Sequence, residues 1–391
     1  MKKFGFKKGF FYLFLGALAI FFAYRMIRPM NIFVVSEEFE RPMPVTVAPS
    51  GLDSLKATEC GGCHSEIFKE WSESMHAMAW TDPYYQVDFV FDGSQQICFN
   101  CHIPLQNQQE NLVLGFRDRE KFKPILAPNP DFDRELQKEG VTCAVCHVRE
   151  GVIIGPYGDT DAPHPTRREP GMTDGIGTCK KCHVVSGKRW DTFYRIPPCG
   201  TVAEIRDGDT ERIDCTVCHM PAVVRPVSDG GSPRPGRMHR WKGGHHPDTV
   251  RRALRVELEV EEEKNSNKKR ARITLTNIGA DHYLPTGTPD RHLTVEFRLK
   301  DDKGKVLIEK RYILKRTILW RPFIIDLWDT RLAKGQSWTN FFDFRTDSDP
   351  RPAELEVIIR YHLLEEARRK RIGYRNEEPI SYALYHYNVP L

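Results

Sequence analysis

Hydrophobic positions fall into three textures along the chain. From Gly9 to Tyr24 they run almost unbroken, with Lys2, Lys3, Lys7 and Lys8 ahead of the run and Arg25 and Arg28 behind it. Extended through Met26 and Ile27, the run predicts an N-terminal signal anchor, a transmembrane helix within residues 1–28. The lysine excess before it favours the N-terminus inside and the body outside. The small-x-small candidate Ala17-Leu18-Ala19 is buried in the apolar run, which argues against a cleaved signal peptide. Residues 29–55, with Arg41-Pro42-Met43-Pro44 and Pro49-Ser50-Gly51, read as an extended linker.

Between residues 56 and 247 apolar periodicity nearly disappears. The exception is His64 to Trp80, where Ile67, Trp71 and Met75 recur at i, i+4 and i+8 and predict a helix. The rest is rich in glycine, proline, cysteine and histidine, and cannot fill a core from side chains alone. From 248 to 391 the period becomes two. Leu254, Val256, Leu258 and Val260 alternate with Arg255, Glu257, Glu259 and Glu261. Ile273 and Leu275, then Leu293, Val295, Phe297 and Leu299, repeat the pattern, and Asp302-Lys303-Gly304 marks a hairpin turn. Phe341–Phe344 and Leu355–Tyr361 complete it, predicting an antiparallel β-sandwich. The expected fold class is α+β: a mainly helical or irregular domain over 56–247, then a β-sandwich domain over 248–391, with the N-terminal transmembrane anchor ahead of both.

Composition changes this picture little. A chain of 391 residues accommodates two domains, and 40% hydrophobic with 28% charged residues is ordinary for a folded protein. A formal charge of +5 is too mild to suggest a nucleic-acid partner. The cysteines change it greatly. Of 11, all but Cys199 form C-x-x-C pairs, each followed by histidine: Cys60/Cys63-His64, Cys98/Cys101-His102, Cys143/Cys146-His147, Cys179/Cys182-His183 and Cys215/Cys218-His219. Two thiols three positions apart share one side of a helical turn, where they can add to the two vinyl groups of a haem. The adjacent histidine then reaches the iron as proximal ligand. Five such motifs behind an export segment predict five covalently attached haems c and disfavour zinc or dithiol chemistry. The odd Cys199 reads as a buried free thiol.

Each iron takes a second axial ligand or stays open. With 14 histidines in all, nine lie outside the motifs, enough for bis-histidine ligation throughout. His76 is the best placed. On a helix rising about 1.5 Å per residue it lies about 18 Å from His64, so the two cannot clasp one iron, and His76 should serve a neighbouring haem. His164, in a proline-rich loop, and His239 and His245, in the Gly/Pro-rich run Met238–Pro247, are further candidates. Of the adjacent pair His245 and His246 only one is expected to ligate. His292, His362 and His386 sit in or near predicted strands and read as structural. Met220 and Met238 are weaker candidates beside so many histidines.

The stretch from Cys60 to Ala77, with Trp71 and Ser74-Met75-His76-Ala77, resembles the superfamily of hydroxylamine oxidoreductase and its tetrahaem electron acceptor. Gly140-Val-Thr-Cys143-Ala-Val-Cys146-His147 and Cys215–Pro221 are similar to later haem motifs of that group. So is Thr276–Gly287 followed by Arg291, with its asparagine, histidine and Pro-Thr-Gly. The resemblance implies that His282, from the β region, is a haem ligand. The group's enzymes have more haems or a special catalytic one, and no CxxCK is present here, which favours an electron carrier over an enzyme.

The expected function is electron transfer by a membrane-anchored periplasmic pentahaem cytochrome, between a membrane donor and a periplasmic or complex partner. The body would lie in the periplasm or outside the cell, anchored to the inner membrane. Redox proteins or a respiratory membrane complex are the expected partners, and the apolar N-terminal helix admits quinol as a donor. The alternative is a haem enzyme of nitrogen-oxide chemistry, reducing nitrite or oxidising hydroxylamine, with one open-site haem beside Arg, His or Tyr.

Overall fold

A computed structural model describes residues 3–27, 41–116, 124–158, 161–172, 176–183, 192–193, 200–207, 214–263, 266–319 and 324–391. The C-terminal part is built from two sheets. In the smaller, Lys268–Asn277 pairs antiparallel with Leu254–Glu262 on one side and Ser337–Arg345 on the other. In the larger, the order is Ser381–Pro390, Glu354–His362, His292–Lys300, Val306–Leu319, Ile324–Asp329 and Thr192–Phe193. The last pair is parallel, so a short strand from the cysteine-rich region closes the edge.

Ala271, Ile273 and Leu275 of the smaller sheet meet Leu293, Val295, Phe297 and Leu299 of the larger, all fully buried. Phe297 stacks on Phe342 across the sandwich with ring centroids 5.2 Å apart. The alternation in Leu254–Glu262 turns one face inward, as its pattern predicts. The strand His292–Lys300 is buried on both faces because charges cover its outer one. There Glu296 is held by Arg298 at 2.9 Å and Arg311 at 2.8 Å. The pattern does not predict the strand Ile324–Asp329, and it marks Ser381–Pro390 only through His386, read as in or near a strand.

Two expectations need correction. Among the described residues no helix is long and apolar enough to cross a membrane, so the transmembrane anchor is not part of this fold. The N-terminal helix Lys3–Ile27 has charged residues at both ends. At about 1.5 Å per residue, its apolar run from Gly9 to Tyr24 covers about 24 Å, against about 30 Å of hydrocarbon. The second correction is the expected helix from His64 to Trp80, which stops at Ser72. Beyond it the chain turns, because the Val141 N–H takes the His76 carbonyl at 2.9 Å.

The larger sheet carries a pH-sensitive pair. His292 and His362 face each other in register and stack with centroids 4.1 Å apart, 5° from parallel. Burial lowers both pKa values, and His362, also beside His292, falls to about 3. Both rings therefore resist protonation in the fold, while in the unfolded chain they take up protons near pH 6.5. Between those values the unfolded state binds more protons, so stability is lost as pH falls below about 6.5. Replacing both by glutamine should flatten the decline of the unfolding midpoint between pH 7.5 and 5. An unchanged slope would contradict this.

Candidate functional site

Each CxxCH motif rides on a short helical turn: Ala57–Gly61 leading into Cys63 and His64, Gln96–His102, Cys143–His147, Ile176–His183 and Cys215–His219. Asp214 caps the last, its Oδ1 accepting from the Thr216 N–H at 2.9 Å. An aromatic cluster seats the second: Trp80, Phe89 and Phe99 meet at 5.2–5.7 Å, and Tyr85 lies flat on His102 at 3.7 Å.

The five motifs open onto one cavity of ≈ 2290 Å³. A pocket for one small ligand has about 300–1,000 Å³, so this space suits several large groups. All ten motif cysteines and the five motif histidines line it, and so do His76, His164, His239, His245 and His282. His246, His292, His362 and His386 do not line it. His246 instead starts the helix Pro247–Ala253, with Nδ1 3.2 Å from the Thr249 hydroxyl. His386 pairs with Glu356 at 2.9 Å. Cys199 lies outside the described residues.

The imidazoles are prepared as ligands. Nδ1–H of His64 donates to Val227 O at 2.6 Å, of His102 to Ala79 O at 2.6 Å, of His147 to Ile154 O at 2.9 Å and of His219 to Lys242 O at 2.9 Å. His239 donates likewise to Arg237 O at 2.9 Å, and His282 to Tyr283 O at 2.8 Å. Such bonds fix the tautomer and leave Nε2 free, as in metal-ligating histidines. Burial pushes His76 down to about 3 and His102, His239 and His245 to about 4, so all four are neutral at pH 7.

Three pairs of rings face each other. Their centroids are 6.4 Å apart for His76 and His183, 6.1 Å for His147 and His239, and 6.3 Å for His219 and His282. With a metal–imidazole bond of about 2 Å on each side and about 1.2 Å from nitrogen to ring centre, two imidazoles that held one metal between them would stand about 6.4 Å apart. The residues present therefore fit haem iron held by two histidines. His76 faces His183 and not His64. Among the described residues no second histidine ring pairs with His64 or His102. His164 lies at the cavity wall with its buried Nδ1 unpartnered. His245 Nε2 instead accepts from Arg291 at 3.3 Å, and the Arg291 guanidinium also lies beside the Tyr361 hydroxyl.

The thiols show how the motifs adjoin. The Cys60 thiol lies beside that of Cys143, Cys182 beside Cys101 and Cys179 beside Cys215, and Cys182 is close enough to Cys146 to act on it electrostatically. The first motif thus adjoins the third, the third the fourth, and the fourth both the second and the fifth.

Several functional residues carry no motif. Buried Glu70 takes Arg225 at 2.7 and 3.0 Å and the His239 N–H at 2.8 Å, fixing the backbone that presents His239. Gly140, at φ 60°, passes so close to the His76 carbonyl that a Cβ would stand 2.6 Å from it. Trp71 donates from Nε1 to Val141 O at 2.9 Å beside it. A carboxylate on a helix and a glycine before a valine are too common to have been singled out from sequence.

This arrangement fits a c-type cytochrome with several haems. In comparison with known proteins, the family model described as cytochrome c554 and c-prime matches residues 59–122. No curated protein sequence matches the chain. Among solved structures, the penta-haem cytochrome c552 from Thermochromatium tepidum is similar with a TM-score of 0.64 and 19% identity, over 86% of this chain and 98% of that one. The ApaA protein from Bordetella pertussis aligns over 35% of this chain and 87% of its own, at 12% identity and a TM-score of 0.17. The chain is thus similar to multihaem c-type cytochromes, and its five CxxCH motifs support covalently bound haem c, about five per molecule.

Proposed function

We propose that the protein relays electrons between redox partners on the periplasmic side, either separate redox proteins or a respiratory complex, through five bis-histidine or near-bis-histidine haems. Bound haem iron supplies one-electron transfer by cycling between its ferric and ferrous states. The observation that carries this reading is the three facing imidazole pairs at 6.1–6.4 Å around one cavity. Cys60 and Cys63, Cys98 and Cys101, Cys143 and Cys146, Cys179 and Cys182, and Cys215 and Cys218 hold the five porphyrins. His64, His102, His147, His183 and His219 are the proximal ligands. His76, His239 and His282 are the distal partners of His183, His147 and His219, and His164 is the distal candidate for His64. Two histidines on an iron, with no methionine to raise the potential, keep these centres at the low end of the cytochrome range. The adjoining thiols give the attachment sites a branched order, with the fourth motif at the junction.

Mass spectrometry of the mature protein should show the added mass of five haems. Four or fewer in fully matured material would overturn the assignment.

A second reading has its own observation. His102 lies against Tyr85, no described histidine ring faces it, and Arg291, His245 and Tyr361 gather in the same cavity. A haem held there with an open face would bind small ligands, and the enzymatic alternative, with its nitrogen-oxide substrates, rests on this site. The ferric spectrum separates the two readings. A high-spin component that binds cyanide and is lost with Cys98→Ala/Cys101→Ala favours the second, and an entirely low-spin spectrum favours the relay alone.

A further inference from the structure

Trp241 has an unusual place and an unusual backbone. Its φ is 41°, in the left-handed region that bulky residues avoid, and such an outlier persists only where its surroundings impose it. Its indole stands edge-to-face against two imidazoles: His76 at 4.7 Å and 64°, and His239 at 5.3 Å and 89°. These rings belong to different facing pairs, His76 with His183 and His239 with His147. One side chain therefore sits between the distal sides of two haem sites.

The segment around it is tied down on both sides. The His239 N–H donates to Glu70 at 2.8 Å, and the Lys242 carbonyl accepts from His219 Nδ1 at 2.9 Å. The Gly244 carbonyl accepts from the Tyr382 hydroxyl. Residues 239–244 thus form a strap whose ends are fixed and whose middle residue is forced inward. Edge-to-face packing is directional, so the indole limits rotation of both imidazoles about the axis through Nε2.

We propose that Trp241 is a positioning residue shared by two haem sites, setting the ring orientations of His76 and His239 together. This rests on the bis-histidine reading above. It makes ligation at the Cys179/Cys182 haem and at the Cys143/Cys146 haem interdependent, although the two sites share no ligand.

The test uses the full-length haem-loaded protein and low-temperature electron paramagnetic resonance. The g-values of a low-spin ferric haem report the angle between its two imidazole planes. The three facing pairs differ in that angle, at 55° for His76/His183, 36° for His147/His239 and 20° for His219/His282. His76→Ala and His239→Ala, made singly, identify two of the signals, and if neither removes a low-spin signal the bis-histidine reading itself fails. Trp241→Ala should then shift or broaden those same two signals and leave the His219/His282 signal in place. Trp241→Phe, which keeps an edge-to-face ring, should shift them less. Trp241→Gly discriminates further: glycine adopts φ 41° without strain, so a purely backbone role predicts a wild-type spectrum, whereas loss of the indole predicts the alanine result. If Trp241→Ala matures with fewer than five haems, Trp241→Phe decides, by movement of both signals or of neither. Movement of one signal alone, of none, or of all three equally would overturn the proposal.

Discussion

Replacing His76 by alanine should leave five haems attached and convert one of them, the haem on Cys179 and Cys182, from low to high spin. The ring faces His183 with centroids 6.4 Å apart and is buried and neutral, with a pKa lowered to about 3 mainly by burial. Its backbone is held independently of the ring, through Val141 N–H on the His76 carbonyl and the close passage of Gly140. Alanine therefore removes the ligand and leaves the turn that carried it. Optical and magnetic resonance spectra should show one new high-spin ferric haem, and added imidazole should return it to low spin. A second variant locates it. With Cys179 and Cys182 also replaced, so that this haem is not attached, His76→Ala should add no further high-spin signal. An unchanged low-spin spectrum in the single variant, or a high-spin haem that survives loss of Cys179 and Cys182, would refute the pairing.

The proximal side of the site was legible because its chemistry is local. Cysteine, cysteine and histidine must share one helical turn, so the pattern survives in any fold that presents it. The distal side was not, because each partner arrives from another element. His239 reaches His147 only after the hairpin of Ala222–Pro226 and Pro233–Arg237 has formed and Glu70 has fixed the chain beyond it. His282 was named through a family resemblance, and its loop is set by Asn277, whose Nδ2 donates to the His282 carbonyl at 3.0 Å and to the Leu332 carbonyl at 3.1 Å. Helical spacing gave the right neighbourhood for His76 but the wrong backbone, since tertiary bonds to Val141 replaced the last helical turns. In the sandwich, alternation located the strands with one wet face. It said less about Ser381–Pro390, where a bulge between Ala383 and Tyr385 shifts the period, so that Tyr382, Tyr385 and Tyr387 share the face packed on the core. The N-terminal run was misjudged on length: charged ends leave its apolar core short of a bilayer.

Arg331→Met should destabilise the protein by about 3–5 kcal/mol, the usual cost of breaking a buried ion pair from one side. The guanidinium is 3% exposed and holds three things at once. It donates to Glu204 at 2.6 Å, to both oxygens of Asp329 at 2.9 and 2.7 Å, and to the Pro285 carbonyl at 3.2 Å. Glu204 comes from the helix Thr201–Asp207 in the haem region, and also accepts from Thr286 at 2.6 Å. Arg331 thus joins the haem region to the sandwich beneath the loop that presents His282, and lies over Tyr283 at 5.0 Å. Methionine fills similar space but leaves buried Glu204 and half-buried Asp329 without their cation. Burial already raises Glu204 above the ordinary carboxyl range against the pull of Arg331, and losing that pull raises it further. An acid whose folded pKa is raised stabilises the fold below its unfolded value, about 4.3, and that contribution is lost as pH climbs through the folded one. The deficit of Arg331→Met should accordingly be largest near pH 7 and shrink toward pH 5, and Glu204→Gln in the same chain should recover part of it at pH 7. Denaturant unfolding at the two pH values measures this. The spectrum supplies an independent readout, because a loosened His282 loop should weaken low-spin character at the Cys215/Cys218 haem before it affects the others. Equal stability of wild type and Arg331→Met at pH 7 would show that the buried network does not join the two regions.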